Sequence, residues 1–340
     1  MSPGLSNRFS IKLPRNLDFL LIVRGLAAIS VVYWHLGGYL EIENYWSSFF
    51  IIPGRLAVWI FFMMSGYLIG HGLIYGRYSR TISGMGRFYI NRLLRIYPIF
   101  LFVSLVAILI AYSDLNIDLG FIARELLMVQ WDHSYELNGV FWTLGVEVHF
   151  YLMAPLLVFG SQLIFKQWVN WSVALYLLVL LAVWLFSKSG FFVSWDMRSV
   201  LGGITHFVIG IVCASYKYQI IALTKKPNTL LILSILVLLL ISYFNHGYNI
   251  NFRMTLVSNL IGVGLIFLHI MLEAKEIGLN LLVKILLALG VLSYGIYAWH
   301  GLLIINGYFM DSLPLHLAAT IFLAYLTYLM VERPLLKLKQ

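Results

Sequence analysis

LDFLLIVRGLAAISVVYWHLGG, residues 17–38, is the stretch whose reading decides the fold. As a helix rising 1.5 Å per residue, it is long enough to cross about 30 Å of hydrocarbon. Yet it carries Arg24 within the apolar run and His35 near its far end. A charged side chain at such a depth costs at least ~2.5 kcal/mol, so its presence there points to function. At about 100° per residue, the spacing puts the two side chains within roughly 20° of one helix face and about 16 Å apart along the axis. Snorkelling of Arg24 and an idle interfacial His35 are the plain alternative.

Composition extends this reading to the whole chain. Of its 340 residues, 61% are hydrophobic and 11% charged, with a mean hydropathy of +0.89. A soluble domain would carry about 25% charged residues. The chain is therefore expected to be an all-α polytopic membrane protein and a single membrane domain over 1–340. The first apolar run is too long for a signal-peptide core and should remain as a transmembrane helix. The net charge of +9 reads as basic loops held inside rather than as a nucleic-acid surface. One cysteine, Cys213, excludes an internal disulfide. Neither an HExxH motif, a close His-x3-His pair nor a thiolate cluster is present, so no metal is expected.

Apolar runs suggest ten spanning helices, near 17–37, 54–74, 96–113, 139–160, 168–187, 199–217, 228–245, 255–272, 286–309 and 314–331. With both termini cytoplasmic (tails 1–16 and 332–340), inner segments collect Arg8, Lys12, Arg15, Arg77, Arg80, Arg87, Arg92, Arg95, Lys166, Lys217, Lys225, Lys226, Lys275, Lys284, Arg333, Lys337 and Lys339. Outer segments hold only Arg55, Arg124, Lys188, Arg198 and Arg253. This asymmetry is what the positive-inside rule requires. The outer loop Asp114–Asn138 is acidic, and its FIARELLMVQW segment has the spacing of an interfacial helix.

Several further stretches could do chemistry. In RFYINRLLRIYP, Arg92 and Arg95 share a helix face and Arg87 precedes them. They are either positive-inside anchors or a clamp for phosphate oxygens. Pro98 should start or bend the third helix. Ser65 and Gly66, within FFMMSGYLIG, allow close approach of another helix or a ligand. In FWTLGVEVHFYLMAP, Glu147 needs a partner at its depth, and His35 is the expected one. SYGIYAWH sets Ser293, Tyr294, Tyr297 and His300 in a polar, aromatic stripe. The closing VERP reads as a structural ending.

Together these motifs, and their order, resemble the integral-membrane acyltransferase-3 family, whose members O-acylate sugars, polysaccharides and other exported products. The resemblance covers nearly the whole chain. It rests on the Arg24-to-His35 signature, FFMMSGYLI, the RLLR of Arg92–Arg95, FWTLGVEVHFYLMAPLL, SYGIYAWH and VERP. It implies ten helices in the cytoplasmic (inner) membrane and an acyl-CoA donor, usually acetyl-CoA. It also implies a sugar or polysaccharide acceptor and a catalytic His35. Arg24, Arg92, Arg95 and the nearby Arg87 would hold the donor, and Glu147 would support His35. Ser65, Tyr67, Tyr297 and His300 are candidate substrate or oxyanion contacts by their chemistry. Many relatives carry two adjacent carboxylates in helix 4; here Val148 and His149 follow Glu147, so only one carries over. Some relatives append an extracytoplasmic hydrolase-like domain, which is not expected here. The competing class is a proton-coupled transporter or flippase, because intramembrane Arg, His and Glu also build proton relays.

Overall fold

The computed structural model describes residues 11–39, 53–111, 119–128, 137–165, 171–188, 200–223, 229–245, 252–273, 275 and 277–338. Among these the regular structure is all helical. In chain order the helices are α1 (Phe19–Tyr39), α2 (Gly54–Ile74), α3 (Ile82–Ala111), α4 (Leu119–Leu126), α5 (Trp142–Ile164), α6 (Trp171–Lys188), α7 (Val200–Ser215), α8 (Lys217–Leu223), α9 (Thr229–Asn245), α10 (Phe252–Glu273), α11 (Leu281–Ile305) and α12 (Leu313–Thr327). A π-turn, Tyr328–Glu332, and the short α13 (Arg333–Leu336) continue α12. Seven of these runs are long and apolar enough to cross a membrane: α1, α2, α3, α5, α10, α11 and the α12–α13 run. The helices α6, α7 and α9 are also apolar and occupy three more of the expected places, but are shorter.

One boundary departs far from expectation. The third helix begins at Ile82, not near residue 96, and Pro98 lies inside it. Its 30 residues rise about 45 Å, well beyond the hydrocarbon thickness. Hydropathy marks only the apolar half, whereas helical structure continues through the arginine-bearing half. The segment expected as interfacial contains α4, whose Glu125 is buried and accepts from the Leu137 N–H at 3.3 Å. The rest of that acidic loop, including Asp114, Asp118, Asp132 and Glu136, lies outside the described residues, as do tail residues 1–10 and 339–340. So do the loop cations Arg8, Lys166, Arg198, Lys225, Lys226 and Lys339.

Two backbone-to-backbone crossings set the frame, since in lipid small residues let helices approach closely. At the α2–α7 crossing, a Cβ on Gly66 would lie 2.0 Å from the Phe207 carbonyl oxygen, and one on Gly210 would lie 2.2 Å from the Met63 carbonyl oxygen. At the α1–α11 crossing, a Cβ on Gly290 would lie 2.1 Å from the Leu21 carbonyl oxygen, and one on Gly25 would lie 2.7 Å from the Gly290 nitrogen. Each crossing fixes the rotation of the polar residue beside it, Ser65 in the first case and Arg24 in the second. A polar node ties α7 to α10 nearby: His206 Nε2 meets Ser258 Oγ at 2.8 Å, and the His206 ring stacks on Trp59.

Gly66→Ala should therefore lower the thermal midpoint in detergent by the equivalent of at least ~2 kcal/mol, because overpacking against rigid backbone is not relieved by a rotamer change. Gly86→Ala, where nothing lies within 4 Å, should raise it by up to about 1 kcal/mol through helix propensity. Thermal unfolding of the two variants beside wild type measures both.

Candidate active site

The helices enclose a cavity of about 640 Å³, within the range of small-molecule sites. Its lining residues on α2 run from Val58 to Gly72, a rise of about 21 Å. One end is basic, with Lys12, Arg77, Arg333 and Lys337. At the waist stand Arg24 from α1, Arg92 and Arg95 from α3, and Glu332 from the π-turn. Beyond them come Ser65, Glu147 and Tyr151, and the deep end is formed by Thr143 and Tyr297. Phe61, Phe62, Met64, Leu68 and Val291 supply apolar wall.

Each of the two carboxylates is engaged through its Oε1. Glu147 Oε1 accepts from the Ser65 hydroxyl and from the Tyr151 hydroxyl, each at 2.5 Å. Glu332 accepts from Arg95 Nη1 at 2.5 Å; the carboxylate is 3% exposed and the arginine side chain 21%. Arg24 sits in the field of both carboxylates and of Arg95. Arg92 lies over the rings of Tyr151 (5.7 Å) and Phe88 (6.0 Å). Its buried Nε has no hydrogen-bond partner. The cavity wall thus carries more positive charge than its carboxylates balance, and the Arg92 guanidinium has donor capacity to spare. A polyanionic ligand would supply what is missing.

The other polar centre is a histidine pair. His35 Nδ1 lies 3.1 Å from His300 Nε2, with the rings stacked at 5.3 Å. His35 is exposed, whereas His300 is fully buried. Neither belongs to the described lining of the cavity. The edge of Tyr297 stands against His300, with ring centroids 5.4 Å apart.

The predicted site residues are therefore distributed as follows. Arg24, Arg92, Arg95, Ser65, Glu147 and Tyr297 line one cavity. Arg87 is exposed and outside it, because five residues of helix turn it about 140° from Arg92. Tyr67 is buried against His269 and His71, also outside the lining. His149 meets the Gly145 carbonyl of its own helix. The expected Glu147–His35 pairing is not formed: Glu147 is bonded to Ser65 and Tyr151, and His35 to His300. Ser65 donates its proton to Glu147, so as an oxyanion donor it is already committed. The shared face of Arg24 and His35 does not become one continuous track: Arg24 lines the cavity and His35 does not, while Tyr297, which does, stands against His300.

Sequence reasoning missed several wall residues. The VERP ending is part of the cavity: Tyr328, Glu332, Arg333, Leu336 and Lys337 all line it. The π-turn's wider spacing brings Glu332 round to Arg95, a device that recurs at functional sites. A carboxylate directly followed by Arg333 at the end of an apolar run was the available signal. Tyr151, one turn after Glu147, could have been found by its i, i+4 spacing. Thr143 and Lys12 carried no local signal. Among the described residues no cluster of three or more metal-ligating side chains occurs.

Comparison with known proteins agrees with this architecture. The chain is 26% identical to the O-acetyltransferase OatA of Staphylococcus aureus, over 95% of its own length and 58% of that protein's. It is 25% identical to a putative O-acetyltransferase of the same species, strain COL, over 93% of its length and 56% of that protein's. The chain thus spans a little more than half the length of these curated relatives. No solved structure matches it. The profile of the acyltransferase-3 family, described as an acyltransferase domain, matches residues 17–331, from the start of α1 to the π-turn, and the chain belongs to that family.

Proposed function

We propose that the protein is a membrane O-acyltransferase. It moves an acyl group, acetyl in the first instance, from cytoplasmic acyl-CoA to a sugar hydroxyl of a cell-envelope polysaccharide or lipid-linked glycan. The observation that carries this reading is the polarity of the cavity, with cations at its mouth and waist, apolar walls between, and the Thr143 and Tyr297 hydroxyls at its far end, where Tyr297 stands against the His35–His300 pair. Relatives named O-acetyltransferases support acetyl as the group moved. With both termini cytoplasmic, the basic mouth faces the compartment that holds acyl-CoA, and His35 faces the opposite side of the inner membrane.

The residues divide the work as follows. Arg92 and Arg95, with Arg24 deeper, receive the donor's phosphates, and Arg95 exchanges Glu332 for a phosphate oxygen. The pantetheine arm follows the apolar wall toward Tyr297. His35 accepts the proton of the acceptor hydroxyl as its oxygen attacks the thioester carbonyl. The carbon–sulfur bond breaks, and the proton passes from the imidazolium to the departing CoA thiolate. His300 is a positioning residue, because its Nε2 against His35 Nδ1 holds the ring orientation, as a carboxylate does in hydrolase triads. Glu147, with Ser65 and Tyr151 on it, holds Arg24 in place and compensates its charge.

His35→Ala should reduce acyl transfer by roughly 100- to 10,000-fold, the usual contribution of a general base, with acyl-CoA affinity unchanged. Transfer at the wild-type rate by folded variant protein would reject the assignment. Arg92→Ala should weaken acyl-CoA binding by about 10- to 100-fold, the worth of a charge-assisted bond, while leaving acceptor affinity intact. Calorimetric titration of purified protein with acetyl-CoA measures this. Proton-coupled flux without any acyl-CoA binding would favour the transporter class instead. Mass spectrometry of envelope glycans from cells with and without the protein identifies the acceptor.

A further inference from the structure

The cavity stops one side chain short of the histidine pair, and that side chain is Tyr297. Its ring is 6% exposed and edge-on both to His300, at 5.4 Å, and to Phe61, at 6.4 Å. On the cavity side it forms the deep wall together with Thr143. Its hydroxyl donates to the Val140 carbonyl at 2.9 Å and accepts from the Thr143 hydroxyl at 2.9 Å.

The Val140 carbonyl is itself held firmly. The turn before α5 is docked on α11, where Asn138 Nδ2 donates to the Ala298 carbonyl at 2.8 Å. Glycine at position 301 makes room for it, since a Cβ there would lie 2.3 Å from Asn138 Oδ1. Asn138 is fully buried. The latch therefore joins two helices through the turn before α5.

We infer that Tyr297, latched by Thr143 and Val140, is a gate between the donor cavity and the His35–His300 pair. The donor's place in that cavity rests on the function proposed above; the barrier itself does not. Two physical requirements favour such a gate. A bundle with a deep aqueous cavity from one face and an exposed histidine at the other needs a dry layer between them, or protons cross it. A thioester at the deep end must also be kept from water until the acceptor is in place. A neutral hydrogen bond contributes only ~0.5–1.5 kcal/mol net, so an arriving ligand can displace the ring. Once aside, the ring opens the path to His35.

The test uses the full chain in proteoliposomes loaded with a pH-sensitive dye. Under an imposed pH gradient, Tyr297→Ala, which removes the whole ring from the barrier, should raise proton flux at least about tenfold over wild type. Tyr297→Phe, which keeps the ring, should stay below the alanine variant. Without acceptor, hydrolysis of acetyl-CoA by Tyr297→Ala should rise by a similar factor. Vesicles with Tyr297→Ala as proton-tight as wild type would overturn the gate. Should that variant fail to elute as a single folded species, Tyr297→Ser, which also removes the ring, decides: raised flux supports the gate, and wild-type flux overturns it. Raised flux with no binding of acetyl-CoA by wild type would leave the gate standing and reject the donor assignment.

Discussion

Five arginines and two carboxylates share the wall of one cavity inside a membrane bundle, and the rest of the site depends on how that charge is held. Each ion taken out of water needs a counter-charge or a full set of hydrogen bonds. Glu332 pairs with Arg95. Glu147 is fixed by two hydroxyls, which leaves its negative field to act on Arg24 rather than to form a tight pair. Arg92 is tolerated by aromatic faces. The result is a cationic surface held in place before any ligand arrives, with part of its binding capacity unspent.

That arrangement requires helices rotated to within a few degrees. Glycine crossings supply the accuracy, because contact between two backbones has no soft side chain to absorb an error. Gly25 lies next to Arg24 and Gly66 next to Ser65. Structural and chemical residues are therefore neighbours in the chain, and a substitution at one disturbs the other.

The polar centres are also kept apart. Between the cationic cavity and the histidine pair stands Tyr297, which lines the cavity and packs edge-on against His300 and Phe61. In a soluble enzyme the two would be expected to share one open cleft.

Much of this was readable in the chain. Hydropathy and length set the helical class and the approximate position of most helices, because burying backbone in lipid admits few alternatives. Arg24, His35 and Glu147 stood out since polar groups in apolar runs are costly. What each faces could not be read. A helix displays its own periodicity, but its rotation against a neighbour is set by contacts far away in sequence, such as Gly66 against Phe207. For that reason the sequence pointed to His35 as the partner of Glu147, while the tertiary structure pairs Glu147 with Ser65 and Tyr151, and His35 with His300. The same holds for the chain's end, where a π-turn swings Glu332 into the cavity. The sequence by itself determined that charges lie within the membrane; only the packed bundle decided which charges meet and where the cavity ends, because both depend on distances between helices that no local pattern encodes.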